Sequence, residues 1–169
     1  STGERMRAFE QEAPRLALPA ARRALRRAGI DPGAITDLVV VTCTGFAAPG
    51  LDVALIDALN LSPSTRRLQV GFMGCFGAIC GLRAAAGACA ADPAATTLLV
   101  CVELCSLHVR RDPDPQNLVA SALFADGAAA AVVAGERSPV LQEQGRRAAG
   151  GVAPITPGSS MLLAGRGLM

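Results

Sequence analysis

The sequence predicts an α/β layered domain with a mainly parallel sheet and a buried central helix. Three observations lead there. Short runs rich in β-branched residues alternate with longer segments rich in alanine and glycine. The run Leu38-Val39-Val40-Val41-Thr42 is continuously apolar rather than alternating, as in a strand covered on both faces. The 169 residues are 51% hydrophobic, enough for one domain with a sizeable core.

Taken in order, residues 5–28 read as a helix, with Leu16, Ala20, Ala24 and Ala28 at helical spacing and Gly29 as its stop. Pro14 and Pro19 argue for a split into two. Arg22, Arg23, Arg26 and Arg27 read as a solvated face. Residues 37–43 form a strand, 44–50 a loop, and 52–59 a short helix ended by Asn60 and Pro63. Residues 67–71 are a second strand, 76–91 the central helix and 96–103 a third buried strand. A polar loop with prolines covers 110–116, and a short helix or turn covers 117–124 with Asn117 as candidate cap. Residues 127–134 form a small-residue strand, paired as a hairpin with another at 139–144. The chain thus divides into a domain over 1–145 and a Gly-, Ala- and Pro-rich tail over 146–169 with no assigned structure.

Strands that alternate with helices imply parallel pairing, and ligands then meet the loops at the carboxyl ends of the strands. Cys43 and Thr44, Cys75, and residues 105–108 all fall at such ends, so three separate segments converge on one expected pocket.

Composition narrows the function classes. Net charge is +2, all basic residues are Arg, and aromatics make up 3%, which argues against nucleic acid as a partner. Six cysteines at 43, 75, 80, 89, 101 and 105 form no C-x-x-C pair, and there is one His, so no metal site is expected. Reduced thiols in a cytoplasmic protein are the expected state. Val70 to Ala91 is long and apolar, but five glycines and Arg83 make it a strand end plus a core helix, not a membrane span. No phosphate-binding loop or dinucleotide fingerprint occurs. Asp126 before Gly127 reads as a turn former.

Cys75 is the candidate nucleophile. It lies in Gly71-Phe72-Met73-Gly74-Cys75-Phe76-Gly77, between a strand and a helix. A thiol there faces a helix N-terminus, whose dipole and free N–H groups favour a thiolate. The flanking glycines permit a sharp turn and close substrate approach. The ordinary alternative is a buried apolar cysteine.

That segment, continued by Ala78 and by Leu82-Arg83-Ala84-Ala85, resembles the nucleophile segment of type III polyketide synthases, the chalcone synthase family. Val102-Glu103-Leu104-Cys105-Ser106-Leu107 resembles the strand end that follows. Ala122-Leu123-Phe124-Ala125-Asp126-Gly127-Ala128-Ala129 resembles the family's A-L-F-G-D-G-A-A block. Thr42-Cys43-Thr44-Gly45, with Pro49-Gly50, resembles its first pocket loop. The match covers about 39–133. The first loop and the Glu-Leu-Cys-Ser segment look closer to bacterial tetrahydroxynaphthalene or alkylresorcinol synthases than to plant enzymes.

The resemblance implies the N-terminal half of a thiolase-like fold. It implies decarboxylative Claisen condensation of an acyl-CoA starter with malonyl-CoA, with Cys75 carrying the acyl chain. Phe124 would match the gatekeeper aromatic, and Cys43 and Thr44 would line the starter side of the cavity. His108 falls where plant members carry a cavity-lining Thr. No cofactor is implied beyond the CoA thioester substrates, and the full enzyme would be a cytoplasmic homodimer with no nucleic-acid or membrane partner. The family's catalytic His and Asn come from a second half, and its CoA-binding basic residues from an N-terminal segment, neither matched here. His108 precedes the Phe-Ala-Asp-Gly block, so that catalytic role does not transfer to it; a surrogate Cys75–His108 dyad is the remaining alternative. Ala48 stands where plant members often place a Met that reaches the partner subunit. Two rival readings remain. One is a ketoacyl-acyl carrier protein synthase III-like enzyme. The other is a truncated, non-catalytic thiolase-fold protein acting through binding or dimerisation.

Overall fold

The computed structural model describes residues 1–110, 114–142 and 161–162. The sheet has the strand order β2-β1-β3-β4-β5, built from β1 (Asp37–Thr42), β2 (Arg66–Gly71), β3 (Thr96–Glu103), β4 (Gly127–Ala134) and β5 (Met161–Leu162). β1 pairs in parallel with both β2 and β3, while β4 runs antiparallel to β3 and to β5. The sheet is therefore mixed, parallel at the three strands whose carboxyl ends matter most here.

The two faces of β1 and β3 are covered by different helices, which explains their unbroken apolar runs. Leu38, Val40, Leu98, Val100 and Val102 face α1 (Thr2–Ala28) and α2 (Leu51–Leu59). Val39, Val41 and Leu99 form the opposite cluster, towards α3 (Gly77–Ala91). Helix α1 buries Phe9, Ala13, Ala17 and Ala21 at four-residue intervals, and the three alanines let its axis lie close to the sheet.

α1 is one helix, not two. Pro14 and Pro19 lie inside it, and the carbonyls they leave unbonded belong to Glu10 and Arg15, residues on the exposed side where water can serve them. It ends at Gly29 in the left-handed conformation, as the sequence suggests.

α3 buries Gly77, Gly81, Ala85 and Cys89 and little else, so the expected buried central helix is buried along one stripe only. A Cβ at Gly77 would stand 2.8 Å from Val41, and one at Gly81 2.7 Å from Val41 and 2.8 Å from Leu99. The segment Gly74–Ala91 is long and apolar enough to cross a membrane by length and composition, and it uses its glycine stripe to lie on the sheet.

The expected strand at 139–144 is not formed. Residues 139–142 are helical, and residues 143–160 lie outside the described set. Ser138 starts the helix: its hydroxyl accepts from Val140 N at 3.2 Å and shares a 2.7 Å hydrogen bond with Thr96 Oγ1. With Pro139 at the first helical position, this is an N-cap signal. β4 pairs with β3 and β5 instead. The tail expected over 146–169 lies outside the described residues except for β5. The loop at 110–116 is shorter than expected, since α4 spans Pro115–Leu123, capped by Asp114 rather than Asn117.

Candidate active site

Parallel pairing brings the carboxyl ends of β1, β2 and β3 to one edge, where Thr42 is level with Gly71. β4, running the other way, starts there, with Gly127 opposite Glu103. Four segments meet as a result: the loop after β1, the turn after β2, the turn after β3, and the approach to β4. Between them lies a cavity of about 460 Å³. Cys43, Thr44, Cys75, His108 and Phe124 all line it.

Cys75 sits in the 3-10 turn Gly74–Phe76 that leads directly into α3. It is exposed and lies two residues before the first residue of the helix. The turn that presents it is sharp: Phe72 and Gly74 both take left-handed backbone angles, with φ near 58°. Gly74 adopts this without cost, whereas Phe72 is strained there. The ordinary alternative of a thiol sealed in apolar packing does not describe Cys75. Burial describes Cys89, whose pKa it pushes up; Cys101 is half-buried, and burial and then Glu103 push it up to about 11.

Sequence reasoning passed over Glu103. Its carboxylate organises the wall of the cavity. Both oxygens accept from Cys43 N, at 2.9 and 3.0 Å, and Oε2 accepts from the Thr44 hydroxyl at 2.7 Å. The Thr44 hydroxyl in turn accepts from Leu104 N at 2.8 Å. The signal was available: one carboxylate closes the otherwise uncharged strand Thr96–Glu103, at its carboxyl end.

His108 is not paired with Cys75. Its Nε2–H donates to the Thr44 carbonyl at 2.6 Å, which commits that nitrogen to holding the first loop. Cys43 Sγ donates to the Gly74 carbonyl at 3.8 Å, tying the same loop to the turn that carries Cys75. Asp126 does more than form a turn, since it accepts from Ser106 N and from the Ser106 hydroxyl, both at 2.7 Å. Phe124 follows the last residue of α4, is 54% exposed, and lines the cavity. Among the described residues no group of three metal-ligating side chains comes together.

A wall that carries three thiols, the hydroxyls of Thr44 and Ser121, the Glu103 carboxylate and apolar surface suits covalent capture of an activated acyl group. A family model described as chalcone and stilbene synthases, N-terminal domain, matches residues 1–137. The alpha-pyrone synthesis polyketide synthase-like Pks18 of Mycobacterium tuberculosis is 40% identical over 143 residues, 85% of this chain and 36% of that protein. Among solved structures, PKS-I from the brown alga Ectocarpus siliculosus superposes with a TM-score of 0.75 at 43% identity, covering 77% of this chain and 34% of that one. The 1,3,6,8-tetrahydroxynaphthalene synthase of Streptomyces coelicolor, described as a bacterial type III polyketide synthase, superposes with a TM-score of 0.74 at 33% identity, covering 79% and 38%. The chain spans about a third of the length of each.

Proposed function

This chain belongs to the chalcone and stilbene synthase family, and on that premise we propose that it is the nucleophile-bearing part of a type III polyketide synthase. The observation that carries the reading is the exposed Cys75, presented by a strained turn at the head of α3 into a cavity that Cys43, Thr44 and Phe124 also line.

The proposed reaction follows from these groups. Cys75 Sγ attacks the carbonyl carbon of an acyl-CoA; the new S–C bond forms, the C–S bond to CoA breaks, and CoA leaves. Malonyl-CoA then loses CO₂, and the freed electron pair on its α-carbon attacks the Cys75-bound acyl carbon. The Cys75 thiolate leaves as the new C–C bond closes. Phe124 bounds the cavity with an apolar ring and helps exclude water. Cys43 and Thr44, fixed by Glu103, set the wall on the starter side, and His108 holds that wall by its bond to Thr44. The condensing step needs an oxyanion stabiliser that the family resemblance places outside the matched blocks. We therefore assign acyl capture to these 169 residues, and condensation, in a cytoplasmic homodimer, to the longer synthase.

The test is release of CoA. Mixing the purified chain with excess acyl-CoA is expected to give a burst of free CoA close to one equivalent, absent in Cys75→Ala. No burst, or an equal burst from the variant, would refute the reading. Sustained turnover to a pyrone or naphthol by this chain alone would refute the division of labour.

A further inference from the structure

Three thiols line the cavity, yet acyl transfer that feeds one extension reaction needs only one of them. Acylation of a second would strand the group. Cys43 points its S–H at the Gly74 carbonyl, a bond open only to the protonated thiol. Among the described residues Cys105 makes no such bond, and it lines the same cavity as Cys75. Two carboxylates flank it. Glu103 lies two residues before it and also borders the cavity. Asp126 is fixed to its neighbour Ser106 by two bonds of 2.7 Å. Burial first, then the charges of Glu103, Asp126 and Cys75, push the Cys105 thiol up. The basic groups on the same wall are His108, whose Nε2 is committed to Thr44, and Arg110.

We propose that Glu103 and Asp126 are specificity-determining residues, whose paired negative charge withholds Cys105 from nucleophilic attack so that acyl transfer goes to Cys75. The inference rests on Cys75 as the acyl acceptor. The withheld step is attack of the Cys105 thiolate on the thioester carbonyl, with its proton lost to solvent and CoA leaving. A nearby anion disfavours that thiolate, so the carboxylates add to burial in holding this sulfur back.

The test maps alkylation by iodoacetamide at every cysteine of the intact chain, as a function of pH, in wild type, Glu103→Gln and Asp126→Asn. Asp126→Asn retains an oxygen for Ser106 N, so it removes charge with little change of shape. In wild type, Cys105 is expected to react far more slowly than Cys75 at neutral pH. In each variant its profile is expected to move to lower pH and its rate at neutral pH to rise several-fold, with a second acyl group from acyl-CoA appearing on Cys105. A rate raised equally at every pH, with an unmoved profile, would report mere loosening of the wall and overturn the proposal. So would wild-type Cys105 reacting as fast as Cys75. If Cys75 itself takes no acyl group, the function proposed above fails, while the alkylation profile of Cys105 still decides this point.

Discussion

The backbone N–H of Cys43 meets both oxygens of the Glu103 carboxylate, at 2.9 and 3.0 Å, so the end of β1 is clamped to the end of β3. Thr44 completes the clamp by donating to Glu103 and accepting from Leu104 N. The cavity wall is thus set by a few hydrogen bonds between strand ends rather than by apolar packing.

Thr44→Val keeps shape but strips both bonds and leaves the N–H of buried Leu104 without its acceptor. Such an orphaned group costs about 1–3 kcal/mol. Urea unfolding is expected to register that loss for Thr44→Val and most of the wild-type value for Thr44→Ser. Equal stability of the two variants would contradict the clamp.

The α3 glycines should respond in opposite senses. Gly81→Ala puts a methyl within 2.7 Å of Val41 and must lift the helix off the sheet, at about 1–3 kcal/mol. Gly87 meets nothing within 4 Å and lies mid-helix on the exposed side, so Gly87→Ala is expected to stabilise by about 0.5–1 kcal/mol. Denaturant midpoints decide both signs.

Asp37 gives an acid-sensitive contribution. Burial works to raise its carboxyl, but the Arg66 fork at 2.7 Å on each oxygen and the Thr36 hydroxyl outweigh it and hold the group below the usual range. A depressed folded value stabilises fully above the unfolded value of about 3.9 and is lost as pH falls through the folded one. The stability gap between wild type and Asp37→Asn is therefore expected to stay level above about pH 5 and to close on further acidification. A gap unchanged down to strongly acid pH would contradict this.

Much of this arrangement was legible in the sequence because unbroken runs such as 38–42 and 98–102 report burial on both faces, and because the chemistry-bearing residues sit where those runs stop. What escaped was set by contacts between distant segments. The charge of Glu103 looks like an ordinary strand end until Cys43 and Thr44 are seen to fold onto it. The run 139–144 looks extended until Ser138, bonded to Thr96, is recognised as a helix cap ahead of Pro139. The continuity of α1 through Pro14 and Pro19 depends on which side of the helix faces water. The burial of α3 was overestimated because its composition is apolar all round, whereas only the stripe 77, 81, 85 and 89 meets the sheet.

The most direct measurement is the location of the acyl group after brief exposure of the chain to an acyl-CoA, read by mass spectrometry of the proteolytic peptides. A thioester is expected on the peptide that carries Cys75, with Cys43 and Cys105 unmodified. An acyl group on either of those two in preference to Cys75, or on none of the three, would contradict it.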